Sequence, residues 1–348
     1  MQRRRETLAG RAGRGMRPIG RPAGRRACLG IVLVVLAGCD SASSALDPAG
    51  VEADTIARLF WMMAIGAGVV WLAVVAIALH AGRRRDDPPD RRQAHRWLIL
   101  VGGVIVPTVV LGALLAYGLV LMPQLRAPAP HDGLRIAVSG EQWWWRVTYR
   151  PDAAAVVLAN EIRLPVNQRV EFILTSPDVI HSFWIPALGG KLDMIPGRTT
   201  TLVLQPTRTG TFHGACAEYC GTSHAFMRFA VVVMEPQAFD RWLRHQAAPA
   251  ALPRDRLARR GEQAFQRNGC GACHAVRGTA AAGVVGPDLT HVGSRLGLAA
   301  GTLPNDEAGF ERWIADTHAV KPEALMPEFG MLPAAQLRAI AHYLEGLQ

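Results

Sequence analysis

The sequence predicts a multidomain membrane protein: a two-helix transmembrane hairpin, then a β-sandwich, then a small all-α domain. Two apolar stretches, about 59–81 and about 97–122, are each long enough to cross a hydrocarbon core of roughly 30 Å as a helix. Between about 133 and 235, short β-rich runs alternate with Pro/Gly turns, the pattern of a sandwich. Towards the C-terminus apolar residues return at helical spacing, in segments at about 257–268 and 333–347.

The first 38 residues form an Arg-rich leader with an apolar run at 29–35, as in a secretory signal. The leader ends in Leu36-Ala37-Gly38-Cys39, which resembles a bacterial lipoprotein box and predicts Cys39 as a lipidated N-terminus, with Cys28 lost on cleavage. Residues 1–38 carry nine Arg against one Glu, +8 of the formal +10, so 39–348 carry only about +2 and the high pI does not imply a nucleic-acid partner. A start at Met16 would give a leader of more ordinary length. Segment 39–126 then holds both membrane helices. Their connecting loop carries Arg83, Arg84, Arg85, Arg91, Arg92 and Arg96, and such an excess marks the cytoplasmic side. Everything after the hairpin is thereby expected on the outer face of a bacterial inner membrane.

In segment 127–240 strands are expected at 134–139, 144–149, 169–175, 200–204 and 229–234. Cys216-Ala-Glu-Tyr-Cys220-Gly-Thr-Ser-His224-Ala-Phe-Met227 gathers two thiols, an imidazole and a thioether ahead of the last strand. Those donors suit copper better than calcium or magnesium. Two Cys three residues apart would also make a zinc half-site, but zinc sites rarely recruit Met and no second Cys pair follows at finger spacing. His181 supplies a second imidazole.

Segment 241–256 is expected as a linker, its core the Ala/Pro-rich stretch 247–254. In segment 257–348, Cys270-Gly-Ala-Cys273-His274 is a c-type haem attachment sequence: both thiols add to the haem and His274 is the proximal ligand. The loop Gly286-Pro287-Asp288-Leu289 is placed to support the proximal side. Met326 and Met331 both lie ahead of the last helix as candidate sixth ligands. Met326 is preferred because its Met-Pro pair resembles the axial-ligand sequence of cytochromes c, whose small all-α fold the flanking helices also fit.

His181 followed by Cys-x-x-x-Cys-x-x-x-His-x-x-Met resembles the dinuclear copper centre of cytochrome c oxidase subunit II, and the haem segment resembles members with a fused cytochrome c domain. The resemblance covers about 50–240 and implies a cupredoxin-like sandwich. Two coppers would be bridged by Cys216 and Cys220 and completed by His181, His224, Met227 and the carbonyl of Glu218. It also implies that the Glu218 side chain reaches a magnesium or manganese site shared with subunit I. Trp143, in Glu141-Gln-Trp-Trp-Trp145, takes the place of the tryptophan through which electrons arrive, although tryptophans on a strand also fill cores. Lys191, Asp193 and Arg198 match the segment facing haem propionates in subunit I. One departure concerns proton uptake: many members carry an acid near the cytoplasmic start of the second helix, where this chain has Gln93-Ala-His95-Arg.

The function so implied is that of the electron-accepting subunit of a haem-copper terminal oxidase, with no oxygen-reducing site of its own. Expected partners are subunits I and III and, as donor, a cytochrome c or an upstream quinol–cytochrome c reductase, with no nucleic acid. Subunit I would reduce oxygen to water and pump protons. The alternatives are the corresponding subunit of a copper-containing nitric oxide reductase and a membrane-anchored electron carrier without a catalytic partner. The retained thiolates disfavour a quinol-oxidising form.

Overall fold

The computed structural model describes residues 43–83, 92–125, 127–150 and 155–348. Met16, Cys28, Cys39 and most of the Arg-rich connecting loop lie outside them. The first span is α1 (Val51–Arg83). The second runs through α2 (Arg92–Leu100), a wider π turn at Val101–Ile105, and α3 (Val106–Leu125). The π turn has a local cause: Pro107 has no N–H to offer Gly103, and Val106 N–H reaches back to the Val101 carbonyl instead. Both spans are apolar over a membrane-crossing length and turn that surface outward, as lipid-facing helices do.

Both ends of the hairpin are bonded to the sandwich. Ala49 N–H donates to Ala187 O (2.7 Å), Val51 N–H to Gln205 O (3.0 Å) and Ala53 N–H to Leu188 O (3.1 Å). The buried Glu52 accepts from Gln205 N–H at 2.9 Å and pairs with Arg169 at 3.3 Å. Arg169 also donates to Ala127 O, just past α3, at 3.0 Å.

Among the described residues, ten strands form two five-stranded sheets. They are β1 (Leu134–Glu141), β2 (Trp144–Tyr149), β3 (Val156–Ala159), β4 (Glu161–Pro165), β5 (Val170–Thr175), β6 (His181–Trp184), β7 (Leu192–Met194), β8 (Thr200–Leu204), β9 (Gly210–Cys216) and β10 (Arg228–Met234). One sheet runs β3-β2-β1-β5-β8 and the other β4-β10-β9-β6-β7. The pairs β1–β5 and β4–β10 are parallel, and the rest are antiparallel. Period-2 burial aims Trp145, Val147 and Tyr149 of β2 into the core. There Trp145 meets Phe229 edge-on at 5.1 Å and Phe183 at 5.7 Å. Gly214 makes room for Phe229, since a Cβ there would lie 2.0 Å from the ring.

The expected strands are present, with shifts of a residue or two at their ends, and β3, β4, β6, β7 and β9 are additional. The expected linker is corrected more substantially: α4 (Pro236–Ala247) occupies its first part and buries Phe239 and Leu243 in the sandwich core. The end of α4 and the residues after it are strapped to the haem domain. Arg277 donates to Gln246 O, Ala250 N–H donates to Arg277 O at 2.8 Å, and His291 Nε2 lies 3.0 Å from Ala248 O.

The C-terminal domain comprises α5 (Arg256–Arg267), α6 (Glu307–Ala315), α7 (Thr317–Val320) and α8 (Ala334–Glu345). Asp255 caps α5 through Ala258 N–H (2.8 Å). The helices α5 and α8 cross where Gly261 leaves no space, because a Cβ there would sit 1.9 Å from Ala339 O. Gly261→Ala should therefore cost this domain about 3 kcal/mol by forcing the crossing apart. Denaturant unfolding followed at the haem absorption should show the loss, with the copper domain's transition unmoved.

Candidate metal centres

The first centre lies at one end of the sandwich. His181 opens β6, Cys216 closes β9, and Cys216 stands in register with Phe183 of β6. Cys216 N–H donates to Met227 O at 3.0 Å, so the two stems of the loop are cross-bonded. Gly221 carries a φ of +115° at the reversal, a conformation that suits glycine. A short helical turn, His224–Phe226, then brings back His224 and Met227.

These elements converge their donor atoms. Cys216 Sγ lies 3.8 Å from His181 Nδ1 and 3.1 Å from Glu218 O. Cys220 Sγ lies 3.4 Å from His224 Nδ1 and 3.8 Å from Met227 Sδ. The ligand atoms of His181, Cys216 and Cys220 fall within 4.8 Å of one another. All of these side chains except His224 are buried. A hydrogen bond from Cys220 pulls the Cys216 thiol well below its usual range despite burial, while the same bond pushes Cys220 up, so the pair ionises one thiol first. Burial lowers His181, but its bonds to Cys216 and Asp178 outweigh that and the net shift is upward.

His181 Nε2 is 2.8 Å from Asp178 Oδ1, which leaves Nδ1 aimed at the sulfurs. A carboxylate behind a ligand imidazole fixes its orientation and raises its basicity. Asp178 is also held by Gln142 N–H at 2.7 Å. The sequence carried a signal for this residue, a carboxylate three positions before His181, but its role was not assigned. Soft donors paired with imidazoles, with a carboxylate behind one of them, fit copper.

Trp143 is buried at the edge of the sandwich core, and its indole N–H reaches the copper loop. Its Nε1 donates to Cys220 O at 3.0 Å, as does Gln142 Nε2 at 2.8 Å. On the exposed side of the loop lie Glu218 and Lys191, whose ammonium donates to Ala217 O at 3.3 Å. Asp193 accepts from Ser182 Oγ at 2.7 Å, and Arg198 is exposed. His95 lies exposed on α2.

The second centre is a largely apolar cavity of about 530 Å³ in the helical domain. Cys270, Cys273, His274 and Met326 line it, with Phe265 and Trp313 among its apolar walls. His274 Nδ1–H donates to Pro287 O at 2.8 Å, which puts the proton on Nδ1 and frees the Nε2 lone pair. Burial keeps this imidazole below its usual value, in the neutral form that binds iron. Gly286 packs against the ring so closely that a Cβ would fall 2.4 Å from it. An apolar cavity with two thiols and a neutral imidazole at its wall fits a covalently held haem. Of the two candidate sixth ligands, Met326 lines the cavity, whereas Met331 is 77% exposed and does not.

The cavity mouth is closed by the sandwich: Gln142, Trp143, Trp144, Asn160, Pro177 and Asp178 complete its lining. Trp143 therefore touches both centres. The sequence did not reveal Arg295, which lines this cavity and donates to Asp288 O, or Lys321. Burial pushes the Lys321 ammonium down to about 7, against the pull of the Cys220 sulfur.

Two family descriptions match: cytochrome c oxidase subunit II, periplasmic domain, over residues 150–234, and cytochrome c over residues 258–348. Cytochrome c oxidase subunit 2 of Alkalihalophilus pseudofirmus is 33% identical over 332 residues, 92% of this chain and 96% of that protein. Its namesake in Bacillus subtilis is 28% identical over 345 residues, with the same coverage of both chains. The crystal structure of the periplasmic domain of subunit II of cytochrome oxidase of Bradyrhizobium japonicum is 35% identical, with a TM-score of 0.32, over 34% of this chain and 96% of that one. Similarity that runs through hairpin, sandwich and haem domain alike, over 92% of the residues, makes this chain a member of the cytochrome c oxidase subunit 2 family, in the form that carries a C-terminal cytochrome c domain.

Proposed function

We propose that this subunit takes electrons from a c-type donor and delivers them, through its own two metal centres, to subunit I of a bacterial inner-membrane oxidase that reduces oxygen to water and pumps protons. The observation that carries this function is the position of Trp143, which lines the haem cavity and is hydrogen-bonded to Cys220. When bound, haem c and a dinuclear copper centre supply one-electron redox chemistry. Cys216, Cys220, His181, His224, Met227 and the Glu218 carbonyl would hold the coppers, and the Glu218 carboxylate would hold a magnesium or manganese ion at the face of subunit I. In the haem domain Cys270 and Cys273 would hold the haem covalently, and His274 and Met326 would ligate its iron. Lys191, Asp193 and Arg198 face subunit I, subunit III joins the complex, and Cys39 is lipidated on the outer face. Asp178 keeps the ligand nitrogen of the buried His181 in place, and the Pro287 carbonyl does the same for His274.

Metal analysis of the purified chain should give copper to haem iron near two to one, with a mixed-valence two-nucleus electron paramagnetic signal. A single copper per haem without that signal would overturn the assignment.

A further inference from the structure

Of the 38 Lys and Arg residues in this chain only two are lysines, Lys191 and Lys321. Lys191 is exposed beside the copper loop, whereas Lys321 is 4% exposed although it belongs to the haem domain. From the end of α7 its ammonium crosses to the sandwich and donates to the Trp143 carbonyl. The next residue makes a second crossing: Pro322 O accepts from Ser223 Oγ at 2.6 Å, and Ser223, fully buried, stands immediately before His224. Two consecutive residues thus grip the copper loop and the tryptophan bonded to it.

This grip is stiffly connected to the haem cavity. Lys321 N–H donates to Thr317 O at 2.8 Å and Ala324 N–H to Lys321 O at 3.1 Å. Thr317 Oγ1 donates to Met326 O at 2.9 Å, so the turn from the grip to Met326 is bonded internally. Across the cavity mouth Arg146 donates to Val285 O at 3.2 Å and Glu161 accepts from Leu296 N–H at 2.8 Å. A buried ammonium is costly unless it is compensated. A methionine would fill similar volume without that penalty, so the amine's contribution here is its directed bond to Trp143.

We propose that Lys321 is a positioning residue that locks the haem-bearing domain onto the copper loop, holding the cavity mouth against Trp143 in the pose that delivers electrons. The proposal rests on the electron route given above, and its test separates the two.

Because the chain has two lysines, amine labelling of the full-length protein followed by peptide mass spectrometry reads the docked state directly, with Lys191 as internal reference. In the wild-type chain Lys321 should label at least about tenfold more slowly than Lys191. Equal labelling would mean an undocked domain and overturn the proposal, whatever route the electrons take. In Lys321→Met, which keeps the bulk and loses the donor, the haem and copper spectra should each keep their form. The dipolar broadening between the two centres should spread to longer distances, and haem-to-copper transfer should slow by about tenfold or more. Wild-type broadening and rate in this variant would overturn the positioning role. A wild-type chain that shows a protected Lys321 but no haem-to-copper transfer would retain the lock and reject the electron route.

Discussion

Replacing Cys220 with Ser should abolish the two-nucleus copper signal and all electron delivery beyond the haem, while the haem spectrum of the same chain stays unchanged. Cys220 Sγ is the sulfur nearest both His224 Nδ1 and Met227 Sδ, at 3.4 and 3.8 Å, so its loss removes the atom that joins the two halves of the donor set. A hydroxyl is a hard, weakly ionised donor that does not replace a bridging thiolate. Losing an outer partner of a metal ligand costs about 10–100-fold in affinity or activity, and losing the bridging ligand itself costs more. The fold should survive. The Cys220 carbonyl that holds Trp143 and Gln142 is backbone and persists in the variant. Electron paramagnetic resonance and the haem absorption of one sample check both halves; a retained two-nucleus signal would mean that Cys220 does not bridge.

Met326→Ala should change the haem spectrum and lower the haem potential, which makes the haem harder to reduce and so slows delivery of electrons through it to copper, while a small chemical donor still reduces the copper directly. A thioether on haem iron raises its potential relative to most other ligands, so its removal has a defined sign. Met326 sits on the cavity wall with its carbonyl anchored by Thr317, whereas Met331 points to solvent at 77% exposure. Met331→Ala should accordingly leave spectrum and rate unmoved. Stopped-flow measurement of haem-to-copper transfer in both variants decides the assignment, and an unchanged Met326→Ala protein would reject it.

The parts legible in the sequence were those with strong local periodicity or a compact ligand motif. Both spans, the alternating strand β2 and the helices α5 and α8 each carry their own pattern. The strands that were missed do not. β7 has three residues, β6 opens on the candidate ligand His181, and β9, Gly-Thr-Phe-His-Gly-Ala-Cys, alternates poorly and contains the glycine that Phe229 packs over. Helix α4 was readable in principle: Phe239, Trp242, Leu243 and Gln246 recur at helical spacing after a Pro at the first turn. The Ala/Pro-rich stretch beside it drew the linker too far forward. Lys321 lay beyond any local signal, because its partner is 178 positions away and its burial requires both domains in place. Trp143, in the turn between β1 and β2, and Trp145, in β2, show the same limit: both are buried in the sandwich core, but Trp143 also bonds the copper loop. Only the registration of β2 against β1 and the copper loop separates them.

The covalent joint between sandwich and haem domain is short and tied down, and Lys321 holds what slack remains. Helix α4 is embedded in the sandwich, its last turn is bonded to Arg277, and the chain is tied down again at Ala248 and Ala250. What remains untied is about four residues, a contour of roughly 14 Å even if drawn straight. Two redox proteins that must find each other are sensitive to solvent viscosity and to ionic strength, because encounter is diffusive and steered by charge. Here encounter has been replaced by a fixed distance. The internal step should then run at one pace in thin buffer or thick, dilute salt or strong, and the dependence on collision moves outward to whatever first reduces the haem.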